Sequence, residues 1–98
     1  MLEQFDKAFE SRIRLQIMSV LVANESYDFS SLKEILEVTD GNLASHLKAL
    51  ERENYIEVSK SFVGRKPNTR YAATTKGVTA FKKHLESLEK LIKQQHKG

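Results

Sequence analysis

Cysteine is absent from the 98-residue sequence, which removes disulfides, thiolate zinc sites, iron–sulfur clusters and a cysteine nucleophile. Proline occurs once, at Pro67, so helices are free to run long elsewhere. No apolar run approaches the ~20 residues of a membrane helix, and the first ten residues carry acids where a secretory signal has a basic start and an apolar stretch. A cytoplasmic protein is the expectation. Walker loop, GxSxG elbow, GxGxxG turn and HExxH helix are all missing, and the histidines, at positions 46, 84 and 96, have no spacing that builds a metal face. The expectation is a protein that is not an enzyme and uses neither cofactor nor metal.

What is present suits one small domain. A chain of this length buries roughly two thirds of its unfolded surface around a single core. With 40% hydrophobic and 30% charged residues it has the composition of a soluble globular unit. Its net charge of +3 hides a strong asymmetry. Residues 1–40 carry four cations against eight acids, a balance of −4, whereas residues 41–98 carry twelve against five, a balance of +7. Between Glu57 and Glu86 stand Lys60, Arg65, Lys66, Arg70, Lys76, Lys82 and Lys83 with no acid among them. The field of such a run attracts a polyanion; a solvated basic face is the plainer alternative.

Periodicity divides the chain into short elements. Ile13, Ile17, Val20 and Leu21 predict a first helix over about residues 11–23. Tyr27 to Phe29 reads as a short extended piece. Ser31 with Glu34 three residues on is a capping-box pattern, predicting a short second helix that ends near Glu37. Thr39 or Asp40 then caps a third helix carrying Leu43, Leu47 and Leu50, and Asn54 closes it in the left-handed conformation. Beyond it the period falls to two: Ile56, Val58 and Phe62 share one side of a strand interrupted by Lys60, a turn is expected over Gly64 to Asn68, and Arg70 to Ala73 returns as the partner. Thr74 caps a last helix with Val78, Phe81, Leu85, Leu88 and Ile92 at heptad spacing. The predicted fold is mainly α with a small antiparallel β-hairpin, a winged helix-turn-helix, plus a long C-terminal dimerisation helix. One domain spans 1–98, with helices 1 to 3 and the wing in 11–73 and the dimerisation helix in 74–95.

On a wheel, the third helix turns its leucines one way and Gly41, Asn42, Ser45, Lys48, Ala49 and Arg52 the other, with His46 on the flank. A helix entering a ~12 Å major groove needs small residues for close approach and donors for bases and phosphates. Asn42 is the base reader, because its amide pairs bidentately with adenine. Ser45 contacts base or phosphate, Lys48 and Arg52 neutralise phosphate, and Thr39 and Gly41 complete the surface. His46 either donates to a phosphate or packs at the helix edge. In the wing, Arg65 or Lys66 probes the minor groove, Arg70 clamps the backbone and Asn68 joins them.

Three segments carry a family resemblance. DGNLASHLKALERENY, Asp40 to Tyr55, resembles the recognition helix of MarR/ArsR-like winged-helix transcriptional regulators. TRYAATTKGVTAF, Thr69 to Phe81, is similar to the strand and helix start after their wing, and SRIRLQIMSVL matches their first helix. The resemblance implies sequence-specific binding of double-stranded DNA by a prokaryotic homodimer, usually for repression. The last helix, at ~1.5 Å per residue, is longer than a three-helix core can cover, so its Val78, Phe81, Leu85, Leu88 and Ile92 are expected in a dimer seam that Phe5 and Phe9 join. The alternative is a winged-helix interaction module binding an acidic protein partner.

Overall fold

In the computed structural model, which describes residues 6–96, the chain opens with a 3-10 turn at Lys7–Phe9, started by the Asp6 carboxylate accepting from the Ala8 amide at 2.9 Å. Helix α1 spans Arg12–Ala23, with Ser11 at its N-cap, and strand β1 is Tyr27–Asp28. Helix α2 covers Phe29–Leu36, helix α3 Asp40–Arg52, strands β2 and β3 Ile56–Val63 and Lys66–Ala73, and helix α4 Thr75–His96. The strands form an antiparallel sheet in the order β1-β3-β2.

The predicted helices are found, with shifted edges. Asp28, not Ser31, caps α2: its carboxylate accepts from the Ser31 amide at 3.2 Å and from the Ser31 hydroxyl at 2.6 Å, so Ser31 is a donor inside the first turn. Thr39 caps α3, its hydroxyl accepting from the Asn42 amide at 3.2 Å. Asn54 takes the left-handed conformation expected of it, with φ 61°.

The hairpin is longer and its turn tighter than expected. Only Gly64 and Arg65 lie between the strands, and Val63 pairs with Lys66. Gly64 has φ +66° while Arg65 does not share a positive φ, the pattern of a II′ turn led by glycine. Pro67 is therefore not part of the turn. It sits in β3 opposite Phe62, next to the hydrogen-bonded closing pair, where alternation leaves the pair without ladder bonds. The missing amide costs β2 nothing, and β1 reaches β3 only at Arg70 and Tyr71.

The core lies between α1, α3 and the base of the sheet. Ile17, Met18 and Leu21 of α1 meet Leu32 of α2, Leu43, Leu47 and Leu50 of α3, and Tyr55 and Ile56. Each such side chain contributes about 1.5–3 kcal/mol when taken out of water. Phe9 and Phe81 belong to this core as well, which corrects their assignment to a dimer seam. Phe9 stacks on Tyr55 at 5.5 Å and meets Phe81 edge-on at 6.0 Å, and neither ring is left for a second chain. Phe5 lies outside the described residues. The Tyr55 hydroxyl donates to the Asp6 carboxylate, tying the opening turn to the end of α3; burial first, and then the Asp6 hydrogen bond, push its pKa above the ordinary tyrosine value.

Thr74 starts α4 as predicted, its hydroxyl accepting from the Gly77 amide at 3.0 Å. The helix then extends well past the core and gives the molecule extents of 59 × 26 × 20 Å. Its Leu85 and Ile92 are exposed, while Val78 and Leu88 are half-buried. Among the described residues no helix is long and apolar enough to cross a membrane.

Candidate nucleic-acid interface

Helix α3 is held by its leucines, each no more than 2% exposed, so its orientation is set by the core. The opposite side is the one that faces solvent. Thr39, Gly41, Asn42, Ser45, Lys48 and Arg52 are all exposed, and Ala49 is half-buried. The Asn42 amide nitrogen of the backbone is used by the cap, leaving its side-chain amide free to project. A side chain added at Gly41 would meet nothing within 4 Å, and its φ is not in the left-handed region. Packing does not require a glycine there, although in a helix it costs up to about 1 kcal/mol against alanine. It leaves the outer face of the helix at its narrowest there. The acid at the start of the helix, Asp40, is paired with Lys33 at 2.8 Å.

His46 takes the second of its two expected positions, packed at the helix edge. Its Nδ1 accepts from the Arg14 guanidinium at 3.5 Å, and Arg14 in turn donates through Nε to the Ala8 carbonyl at 2.6 Å. Burial first, and then the positive charge of Arg14, hold the His46 pKa below the usual histidine value. It is a neutral link between α1 and α3 at neutral pH.

The wing brings Arg65 and Lys66 to its tip, both exposed. Asn68, opposite Ser61, is half-buried. Arg70 does not project with them. Its guanidinium donates to the Ser26 hydroxyl at 2.9 Å and the Ser26 carbonyl at 3.3 Å, fastening the sheet to the loop after α1. A turn over Gly64 to Asn68 would start the return strand beside Arg70; the two-residue turn starts it at Lys66 and leaves Arg70 as the fifth residue of β3.

Between α3 and the sheet lies a cleft of about 180 Å³, with Leu47 and Val58 at its walls and Lys48, Glu51, Lys60 and Tyr71 among its polar groups. Two lysines from different elements thus flank one opening next to the exposed face of α3. Burial, then the Glu51 charge, raises the Tyr71 pKa. Lys60 is the residue that sequence reasoning passed over as an interruption of an apolar strand. The signal was there: two-residue alternation from Ile56 and Val58 places it on the side of the sheet turned to α3.

A three-helix core with a recognition helix whose outer face is small, polar and free of unpaired acid, followed by a two-stranded cationic wing, defines a winged helix-turn-helix protein. The chain belongs to the winged helix DNA-binding domain family, whose model matches residues 13–92. It is 39% identical over 87 residues to an uncharacterized protein of Methanocaldococcus jannaschii, covering 89% of this chain and 95% of that one. A solved structure from Pyrococcus horikoshii OT3, a transcriptional regulator homologue, shares 32% identity with a TM-score of 0.80 and covers 95% of this chain and 97% of its own. The transcriptional regulator Tm0710 from Thermotoga maritima shares the fold at 19% identity, with a TM-score of 0.71, covering 86% of this chain and 58% of the other. The resemblance to winged-helix transcriptional regulators is borne out, and the chain is a winged helix DNA-binding domain.

Proposed function

We propose that the protein is a sequence-specific transcriptional regulator of double-stranded DNA in a prokaryotic cytoplasm, acting as a homodimer and usually as a repressor. Helix α3 enters the major groove, Asn42 pairs with an adenine edge, Ser45 reaches a base or phosphate, and Lys48 and Arg52 fix the helix on the backbone. Arg65 and Lys66 carry the wing to the minor groove, and the phosphate strand between the two grooves runs over the cleft flanked by Lys48 and Lys60. The observation that carries this reading is the exposed, small and polar outer face of α3, including a glycine that internal packing does not need. A pair of such helices related by a two-fold axis fits an inverted repeat with half-sites about 34 Å apart.

The test is selection of bound duplexes from a random pool, followed by binding of variants to the recovered sequence and to a scrambled one. An inverted repeat is expected. Asn42→Ala should narrow the preference for the recovered duplex by roughly 5- to 150-fold, the range of about 1–3 kcal/mol for a bidentate base contact. Arg65→Ala should weaken both duplexes together. Equal losses on both duplexes from Asn42→Ala would remove it as the base reader.

A further inference from the structure

The two most exposed large hydrophobic side chains among the described residues sit together at the wing tip: Phe62, 73% exposed, and Val63, 66% exposed. We propose that Phe62, backed by Pro67, is an apolar wedge that enters the minor groove and opens a base step, so that the wing bends the duplex as well as gripping it. The proposal rests on the duplex-binding reading above and gives the wing an activity that its cations do not supply.

The strand register builds the wedge. Phe62 lies directly opposite Pro67, so the two rings share one face of the hairpin, one turn-closing pair from the end. They occupy a non-hydrogen-bonded pair, in which side chains approach most closely, and proline adds stiffness there without removing a ladder bond. The same face carries Lys60 and, nearer the core, Val58 and Ile56, the side of the sheet that closes the cleft against α3. The wedge therefore projects on the side of the sheet that α3 packs against. Among the described residues none covers Phe62, whereas Ile56, at the base of the hairpin, is buried in the core.

Charge selects the occupant. Arg65 stands in the turn next to the rings, Lys60 lies below them on the same face, Lys66 is on the opposite face of the tip, and no acid occurs between Glu57 and Glu86. An apolar pocket on a protein would have to desolvate those cations, whereas a minor groove offers a negative channel to the charges and stacked bases to the rings. Apolar wedges inserted between base steps unstack them and kink the duplex by about 20–90° toward the major groove.

The experiment uses the full chain and the duplex recovered by selection, end-labelled with a donor and acceptor dye, with bound fraction measured separately by mobility shift. The wild-type complex should shorten the end-to-end distance. Phe62→Ala should still bind at raised protein concentration but leave the duplex close to straight, Phe62→Leu should keep most of the bend, and Arg65→Ala should weaken binding while bound complexes remain bent. Because Phe62 is exposed, circular dichroism of the variants should match the parent. A wild-type complex that is straight, or a Phe62→Ala complex bent like the parent, overturns the wedge while leaving duplex binding intact. Failure of every variant and the parent to bind any duplex overturns both readings. Loss of self-association in Phe62→Ala, with unchanged duplex geometry, would make the tip a contact between copies and would also overturn the wedge.

Discussion

Gly77 and Gly41 occupy comparable places, each in the opening turn of a helix, and nothing in the sequence separates them. The structure does. A Cβ at Gly77 would lie 2.0 Å from the Tyr55 carbonyl oxygen and under 3 Å from two more of its backbone atoms, whereas one at Gly41 meets open space. The same carbonyl accepts from the Thr74 amide at 3.0 Å, so the start of α4 rests directly on the chain leaving α3. Gly77→Ala gains up to about 1 kcal/mol of helix propensity and loses more by forcing backbone apart, overpacking of this kind costing about 1–3 kcal/mol or more. A net loss is expected, seen as a fall in Tm of several degrees, at roughly 4–8 °C per kcal/mol for a domain this size. Gly41→Ala should unfold no earlier than the parent. Equal thermal stability of the two variants would contradict the close approach.

At the scale of elements, what was legible is what local periodicity determines. The leucines of α3 and the seam of α4 announce their helices, and Asn54 announces a left-handed stop, because each depends on neighbours within a turn. The errors lie where distant residues decide. Asp28 and Ser31 are both good caps for α2, and the choice follows from β1 pairing with β3, where Asp28 lies opposite Arg70. Pro67 looks like a turn residue until the register with Phe62 is known, and that misreading carried Arg70 to the wrong end of the strand. The candidate site divides in the same way: the outer face of α3 could be read from a wheel, while the cleft containing Lys60 needed the sheet placed beside the helix. A direct check on the cap is available. Asp28→Ala should cost about 1 kcal/mol and Ser31→Ala clearly less, measured by urea unfolding near pH 7. The hydrogen bond from the Ser31 hydroxyl, opposed by burial, leaves the Asp28 carboxyl below its ordinary 3.8. Its stabilising contribution is therefore complete above that value and is lost as the pH falls through the lower, folded value. A larger cost for Ser31→Ala than for Asp28→Ala would return the cap to Ser31.

For the whole molecule, the shape follows from α4, whose 22 residues run about 33 Å. Phe81 turns inward with Phe9, while Leu85 at 44% and Ile92 at 57% exposure remain on the part that leaves the core. The seam that was legible as one heptad stripe is thus shared between an internal face and an outer one, a division that spacing alone does not reveal. If the outer part joins two copies, Leu85→Glu combined with Ile92→Glu should yield monomers by sedimentation while helical content stays near that of the parent, and DNA affinity should fall with the loss of the second half-site. A double variant that still sediments as a dimer would place the interface elsewhere. Among the described residues, the sheet order β1-β3-β2 leaves one long margin of β2 unpaired from end to end. Such a margin is a template for strand-on-strand zippering between crowded or newly made copies, made stickier here by aromatic and branched residues near its end. Lys60, midway along that margin, is the kind of charge that disfavours such pairing between like-charged copies.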